Sequence, residues 1–131
     1  AERSSLYEAA GVVARRMGLK LAPAIPDRTG ANFRADHFNF AKAGVPAFNV
    51  GSAVFSGDGH FEFVKDPVKS AARLVAFKKD YHQVSDEYHA DWDLSGMVQQ
   101  AQFTLNLGYA IGNAPAMQSW KAGDAFGKVK R

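Results

Sequence analysis

The spacing of apolar residues predicts an α/β fold, and only part of one. Three segments repeat their apolar residues at helical intervals, and one short apolar run lies between glycines. A glycine- and serine-rich stretch follows that run, in the place where α/β proteins put binding loops after a buried parallel strand. Two short strands against three longer helices are thin for an independent sheet.

The first helix is expected to begin at Ser5, with Ser5 and Glu8 forming a capping box. Leu6, Ala9, Ala10, Val13 and Met17 give it one apolar face, and Gly18 supplies a stop. Residues 19–22 have the character of a short strand. Residues 23–30 carry two prolines and an Asp-Arg-Thr-Gly turn, which marks a loop. Residues 37–43 are expected to form a short helix ended by Gly44. Residues 45–50 are too short and apolar for a helix and are expected to be a buried strand, with Pro46 near its start. Asp66-Pro67 reads as a helix start before the apolar stripe Val68, Ala71, Ala72 and Val75. Residues 81–91 are polar, aromatic and irregular. The last helix is expected to start at Asp91 or Asp93 and to end at Asn113-Ala114-Pro115. Its apolar stripe is Leu94, Met97, Val98, Ala101, Leu105, Gly108, Tyr109 and Gly112. Residues 116–131 read as a tail.

Composition narrows the function. The chain has 131 residues, 47% hydrophobic and 22% charged, which suits one globular unit with a real core. It has no cysteine, so disulfides and thiolate chemistry are excluded. No apolar run reaches the roughly 18 residues of a membrane span. Lys and Arg number 16 against 13 Asp and Glu, a net +3 whose excess sits partly at the C-terminus. No basic stripe interleaved with aromatics is present, so nucleic acid is not an expected partner. The chain opens on Ala1-Glu2-Arg3-Ser4, without a methionine or a charged leader, so residue 1 is not expected to be a translational start.

The chemically crowded segments are residues 33–38, with Asp36 beside His37, and residues 81–87, with His82 four residues before Asp86. A histidine near a carboxylate can be a metal ligand with an oriented imidazole, a general base, or a hydrogen-bonded pair. Spacing alone leaves these open. A four-histidine metal site from His37, His60, His82 and His89, in a small independent binding module, is chemically reasonable for zinc. Nothing in the spacing brings the four together. His60 and His89 read as exposed polar residues.

The run FRADHFNFAKAGVPAFNVGS (33–52) resembles a stretch of the co-catalytic di-zinc exopeptidases, in which an aromatic precedes Arg-Ser-Asp-His and a Gly-Val/Ile-Pro-Ala follows. The family includes bacterial zinc aminopeptidases, glutamate carboxypeptidase, the transferrin receptor and glutaminyl cyclase. YHQVSDEYHADWDLSG (81–96) is similar to the family's closing Tyr-His-x-x-x-Asp motif and the start of its last helix. SWKAGDAF (119–126) resembles the tail of a bacterial subgroup. This chain has Ala35 where the family commonly has serine.

The resemblance implies a three-layer α/β/α sandwich around a mostly parallel sheet. Residues 1–115 would be the C-terminal part of the catalytic domain and 116–131 a tail. It implies two zinc ions held by two histidines and three carboxylates, with a glutamate as general base on the water between the metals. Only the last histidine ligand falls in this region, at His82. The other ligands and the general base are expected upstream of Ala1, so no catalytic residue is expected in this segment. Asp36 is placed next to the metal centre or, on the simpler reading, caps the helix at His37. Asp86 is implied to orient the loop or the imidazole, and His37 is read as structural. Phe33, Arg34, Tyr81 and the 51–57 loop are candidates for the substrate pocket wall, with core packing as the alternative for Phe33 and Tyr81. The implied partners are a peptide substrate and the missing N-terminal half, in an exported (secreted or periplasmic) protein. Catalytic zinc usually keeps about three protein ligands and an open position, so the isolated chain is expected to be inactive. Within the same superfamily the alternatives are a non-enzymatic receptor or interaction domain and a glutaminyl cyclase-like acyltransferase.

Overall fold

The structure, a computed structural model, describes residues 3–21, 30–48, 50, 75, 79–92 and 94–129. The chain divides into two compact units. One comprises Ala1–Val50 with Ala101–Arg131, and the other Gly51–Gln100. The helices described along their whole length are α1 (Ser5–Arg16), α2 (His37–Lys42) and α3 (Ser95–Gly112), with short 3-10 turns at Ala31–Arg34 and Ala125–Lys128.

In the first unit, α1 buries Leu6, Ala10, Val13 and Ala14. Ala10, Val13 and Ala14 pack with Phe103 and Leu107 of α3, and Ala110, Ile111, Phe48 and Val50 border the cluster. The alanines let the α3 side chains approach the α1 backbone. Burying Phe103 and Leu107 contributes roughly 1.5–3 kcal/mol apiece. Helix α1 ends as its glycine predicts. Gly18 has φ +69°, its N–H bonds the Arg15 carbonyl, and the Leu19 N–H reaches back to the Ala14 carbonyl. This pair of bonds satisfies carbonyls that the helix end would leave open. Helix α2 repeats the device. Gly44 has φ +79°, with Gly44 N–H on Ala41 O and Val45 N–H on Phe40 O.

The start of α1 differs from the capping-box expectation. The N-cap is Ser4, whose side chain makes no capping bond. The Ser5 hydroxyl instead donates to Gln118 Oε1 (2.7 Å) and accepts from the Ser119 N–H (3.0 Å). Glu8 faces Lys121 at 3.4 Å. Both members of the expected box are thus taken by the C-terminal residues.

Those residues form a strap over the N-terminus. Ser4 and Trp120 make an antiparallel bridge, and Lys121 N–H bonds Arg3 O at 2.8 Å. The Arg3 guanidinium makes two bonds to Asp124, at 2.6 and 3.0 Å, and lies over the Trp120 and Phe126 rings. Trp120 Nε1–H donates to Gly44 O at 3.0 Å. Burial pushes the Asp124 carboxyl up. The Arg3 hydrogen bonds, the Phe126 N–H and the Arg3 charge outweigh this and hold it below the ordinary carboxylate value.

Helix α3 begins later than expected, with the Leu94 carbonyl taking the first helical bond from Val98; Asp93 lies outside the described residues. It ends as expected, with the Asn113 side-chain amide on Tyr109 O. Its buried face also differs from the expected stripe. Phe103 and Leu107 are buried, whereas Met97, Val98, Leu105 and Tyr109 are more than half exposed. The helix has no charged residue along Ser95–Gly112, so apolar periodicity matches more than one of its faces.

No strand forms among the described residues. Residues 45–48 and 50, expected as a buried strand, carry no ladder, and neither do residues 19–21. A strand exists only through hydrogen bonds to a neighbour, and no described segment supplies one. The helix expected from Asp66 falls outside the described residues, apart from Val75, which is helical and exposed. In the second unit, residues 81–92 form successive turns, with Trp92 against Tyr88 and His89.

Two outcomes check this account of the first unit. A Cβ on Gly44 would lie 3.1 Å from Val129 O and 3.2 Å from Val129 Cβ, while one on Gly18 meets nothing within 4 Å. Gly18→Ala is expected to cost about 1 kcal/mol from the left-handed backbone, and Gly44→Ala about 2 kcal/mol or more as crowding adds. Urea unfolding measures both, and equal losses would contradict the close approach of Val129. The second outcome concerns acid. A carboxyl lowered on folding stabilises fully above its unfolded value near ~4 and loses that contribution as pH falls through the folded value. Arg3 is 53% exposed on its side chain, which keeps the pair near about 1 kcal/mol. Wild type should therefore lose more thermal stability than Asp124→Asn between about pH 5 and about pH 2.

Candidate functional site

The expected site residues fall in different units. Phe33, Arg34 and Asp36 belong to the first, and Tyr81, His82 and Asp86 to the second.

In the first unit, Gly30 (φ +69°) turns the chain into Ala31–Arg34, and Phe33 N–H closes that turn on Gly30 O. Ala35 is extended, and Asp36 precedes α2. Asp36 is the N-cap residue of α2, as the capping alternative has it, but its side chain makes no capping bond. Its carboxylate is exposed. Phe33 is 61% exposed. Its ring meets Phe38 edge-on at 5.1 Å. Phe38 in turn carries the Lys42 ammonium over its face at 5.2 Å.

In the second unit, His82 sits on a tight exposed turn with φ +63°, and no other described non-glycine residue has positive φ. That conformation costs a non-glycine residue roughly 1–2 kcal/mol. The surrounding turn holds it. Gln83 N–H bonds Asp80 O (2.8 Å), Asp86 N–H bonds Gln83 O (3.1 Å), and the Ser85 hydroxyl donates to Asp80 Oδ1 (2.7 Å). The Tyr81 and His82 rings stack at 3.8 Å. Tyr81 is 50% exposed, a surface residue of this turn. The Asp86 carboxylate makes no hydrogen bond to the imidazole, and the turn is clasped by Asp80 and Ser85. Sequence reasoning missed both. Their signal was local: an aspartate and a serine five residues apart, each able to bond nearby groups in a turn.

An imidazole can be a zinc donor, and the His82 side chain is exposed to solvent. No group of three or more His, Cys, Asp or Glu that could hold a metal ion is found among the described residues. A catalytic zinc usually keeps about three protein ligands, and no such group is present among the described residues. The four-histidine site gains no support, since the described histidines form no such group; His60 lies outside the described residues, as does the 51–57 loop. The first unit also has an apolar groove of about 510 Å3, between residues 45–50 and the Leu107–Ile111 face of α3. Its lining carries no titratable side chain, so it offers no acid–base or metal chemistry.

The backbone at position 82 gives a direct check. His82→Gly should be neutral or stabilising by up to about 1 kcal/mol, because glycine relaxes the left-handed turn. His82→Val should destabilise, since β-branching opposes that conformation. Denaturant midpoints distinguish them, and a loss on His82→Gly as large as on His82→Val would mean the backbone is not strained.

Neither the curated proteins nor the solved structures yield a match to this chain. The model of peptidase family M28, the co-catalytic zinc exopeptidases, matches residues 1–105. That span contains both the segment around Asp36 and the turn that carries His82, and the chain belongs to peptidase family M28.

Proposed function

We propose that the chain is the C-terminal segment of a zinc-dependent, aminopeptidase-like exopeptidase, exported from the cell, that cleaves peptide bonds with a metal-activated water. Family membership supports the hydrolase and peptidase assignment. The observation that carries the finer reading is His82. It lies in the matched span and holds an exposed imidazole on a turn that a glycine would fit more easily. In this reading His82 is one zinc ligand. By the resemblance of their motifs, Asp36 and Asp86 match positions the family keeps near its metal centre, and Phe33, Arg34 and Tyr81 match positions of its substrate pocket. The full catalytic domain is an α/β/α sandwich to which residues 45–50 contribute a strand. The remaining ligands and the general base come from outside the described residues. When bound, zinc supplies Lewis-acid polarisation of the scissile carbonyl and a water of lowered pKa.

Elemental analysis and peptidase assays test this reading. The 131-residue chain, dialysed against trace zinc, should retain well under one zinc and show no activity, because one imidazole gives neither affinity nor geometry. The full-length protein should cleave an aminoacyl p-nitroanilide, lose activity with a chelator and regain it with zinc. His82→Ala in that protein should lose at least about 100-fold, since removing even an outer partner of a metal ligand costs 10–100-fold. Full activity in His82→Ala would overturn the assignment.

A further inference from the structure

Residues 118–128 lie beyond the 105 positions that the family model matches, yet they contact the segment that carries Phe33, Arg34 and Asp36. Phe126 stands edge-on to Phe38 at 5.9 Å, and Phe38 edge-on to Phe33 at 5.1 Å. Trp120 packs on Phe126 at 5.4 Å and donates its indole N–H to the carbonyl of Gly44. The strap is thus fixed to α2 at both ends, through Phe38 in its first turn and through Gly44 just past its last residue. It is itself pinned to the N-terminus by the paired Arg3–Asp124 bonds. Phe33, with most of its surface open, has Phe38 as its ring partner. Where Phe33 projects therefore depends on Phe38, and where Phe38 sits depends on Phe126.

We propose that the C-terminal strap is a positioning element for the pocket, holding Phe33 through the Phe126–Phe38–Phe33 aromatic series so that its open face receives an apolar side chain of the peptide substrate. This rests on the reading of Phe33 as pocket wall. Phe126 touches no reacting atom in this scheme; it acts through Phe38. Its contribution should appear in KM more than in kcat, because a wall contact binds ground state and transition state alike.

The experiment compares Phe126→Ala and Phe126→Tyr in the full-length protein, by amide hydrogen exchange and by kinetics on leucine p-nitroanilide. In Phe126→Ala, exchange of the Phe33, Phe38 and Asn39 amides should speed up about two- to tenfold, the range an aromatic pair supports. The α1 amides should be unchanged. KM should rise by a similar factor with kcat within about twofold, and Phe126→Tyr should restore both. If the α1 amides also lose protection, Phe126→Leu, which keeps apolar volume without a ring edge, gives the same comparison. Unchanged exchange at residues 33–39 overturns the proposal. Faster exchange with unchanged KM overturns the pocket role while leaving the peptidase reading intact. A wild-type protein without peptidase activity removes that reading, and exchange alone then decides whether the strap holds Phe33.

Discussion

The first unit depends on the meeting of residues 3–5 with residues 118–124. Closing a loop of more than a hundred residues costs about 4 kcal/mol beyond a constant, by the logarithmic law for flexible chains. Hydrogen bonds across the junction return about 1 kcal/mol each. They include two backbone bonds, the two on the Ser5 hydroxyl, and the pair from Arg3 to Asp124. The closure is therefore sustained by several modest bonds acting together, with the Arg3 guanidinium lying over two aromatic rings. Helix α1 is oriented by this junction at its start and by its packing on Phe103 and Leu107 along its length.

What the sequence made legible follows from the range of each interaction. The stops at Gly18 and Gly44 are local, since the left-handed residue and the carbonyls it satisfies lie within six positions of each other. The start of α1 was misread for the opposite reason. Ser5 and Glu8 have the spacing of a capping box, but their partners lie 113 positions away, in the case of Ser5 and Gln118, or at Lys121. No local pattern announces such a competitor. Helix α3 shows a third situation. Without a charge along its length, its sequence does not say which of two apolar faces is buried. The strand expected at residues 45–50 is a run whose ladder depends on neighbours that spacing cannot supply.

For the candidate site, the family was legible in the residue types and the local geometry was not. The motifs around Asp36 and His82 stand in the matched family span, and their similarity to the exopeptidases rests on residue types in order. Spacing could not give the left-handed backbone of His82 or the use of Ser85 to hold Asp80. Nor could it show that Asp36, at the N-cap of α2, makes no side-chain bond to its own helix. Each depends on a choice among partners that several nearby side chains could have made.

The conformation of His82 bears on why this position is a histidine at all. Glycine would take φ +63° without strain, and asparagine with little. Histidine pays roughly 1–2 kcal/mol of backbone strain there. The turn compensates with the Asp80–Ser85 hydrogen bond and the stacked Tyr81 ring. A turn that needed only to reverse the chain would have no use for that compensation. Strain held in place by neighbouring bonds, on a side chain left open to solvent, is consistent with the donor role proposed for His82. The Tyr81 and His82 rings stack at 3.8 Å, so the side chain that the proposal takes as a zinc donor packs on a neighbour from its own turn.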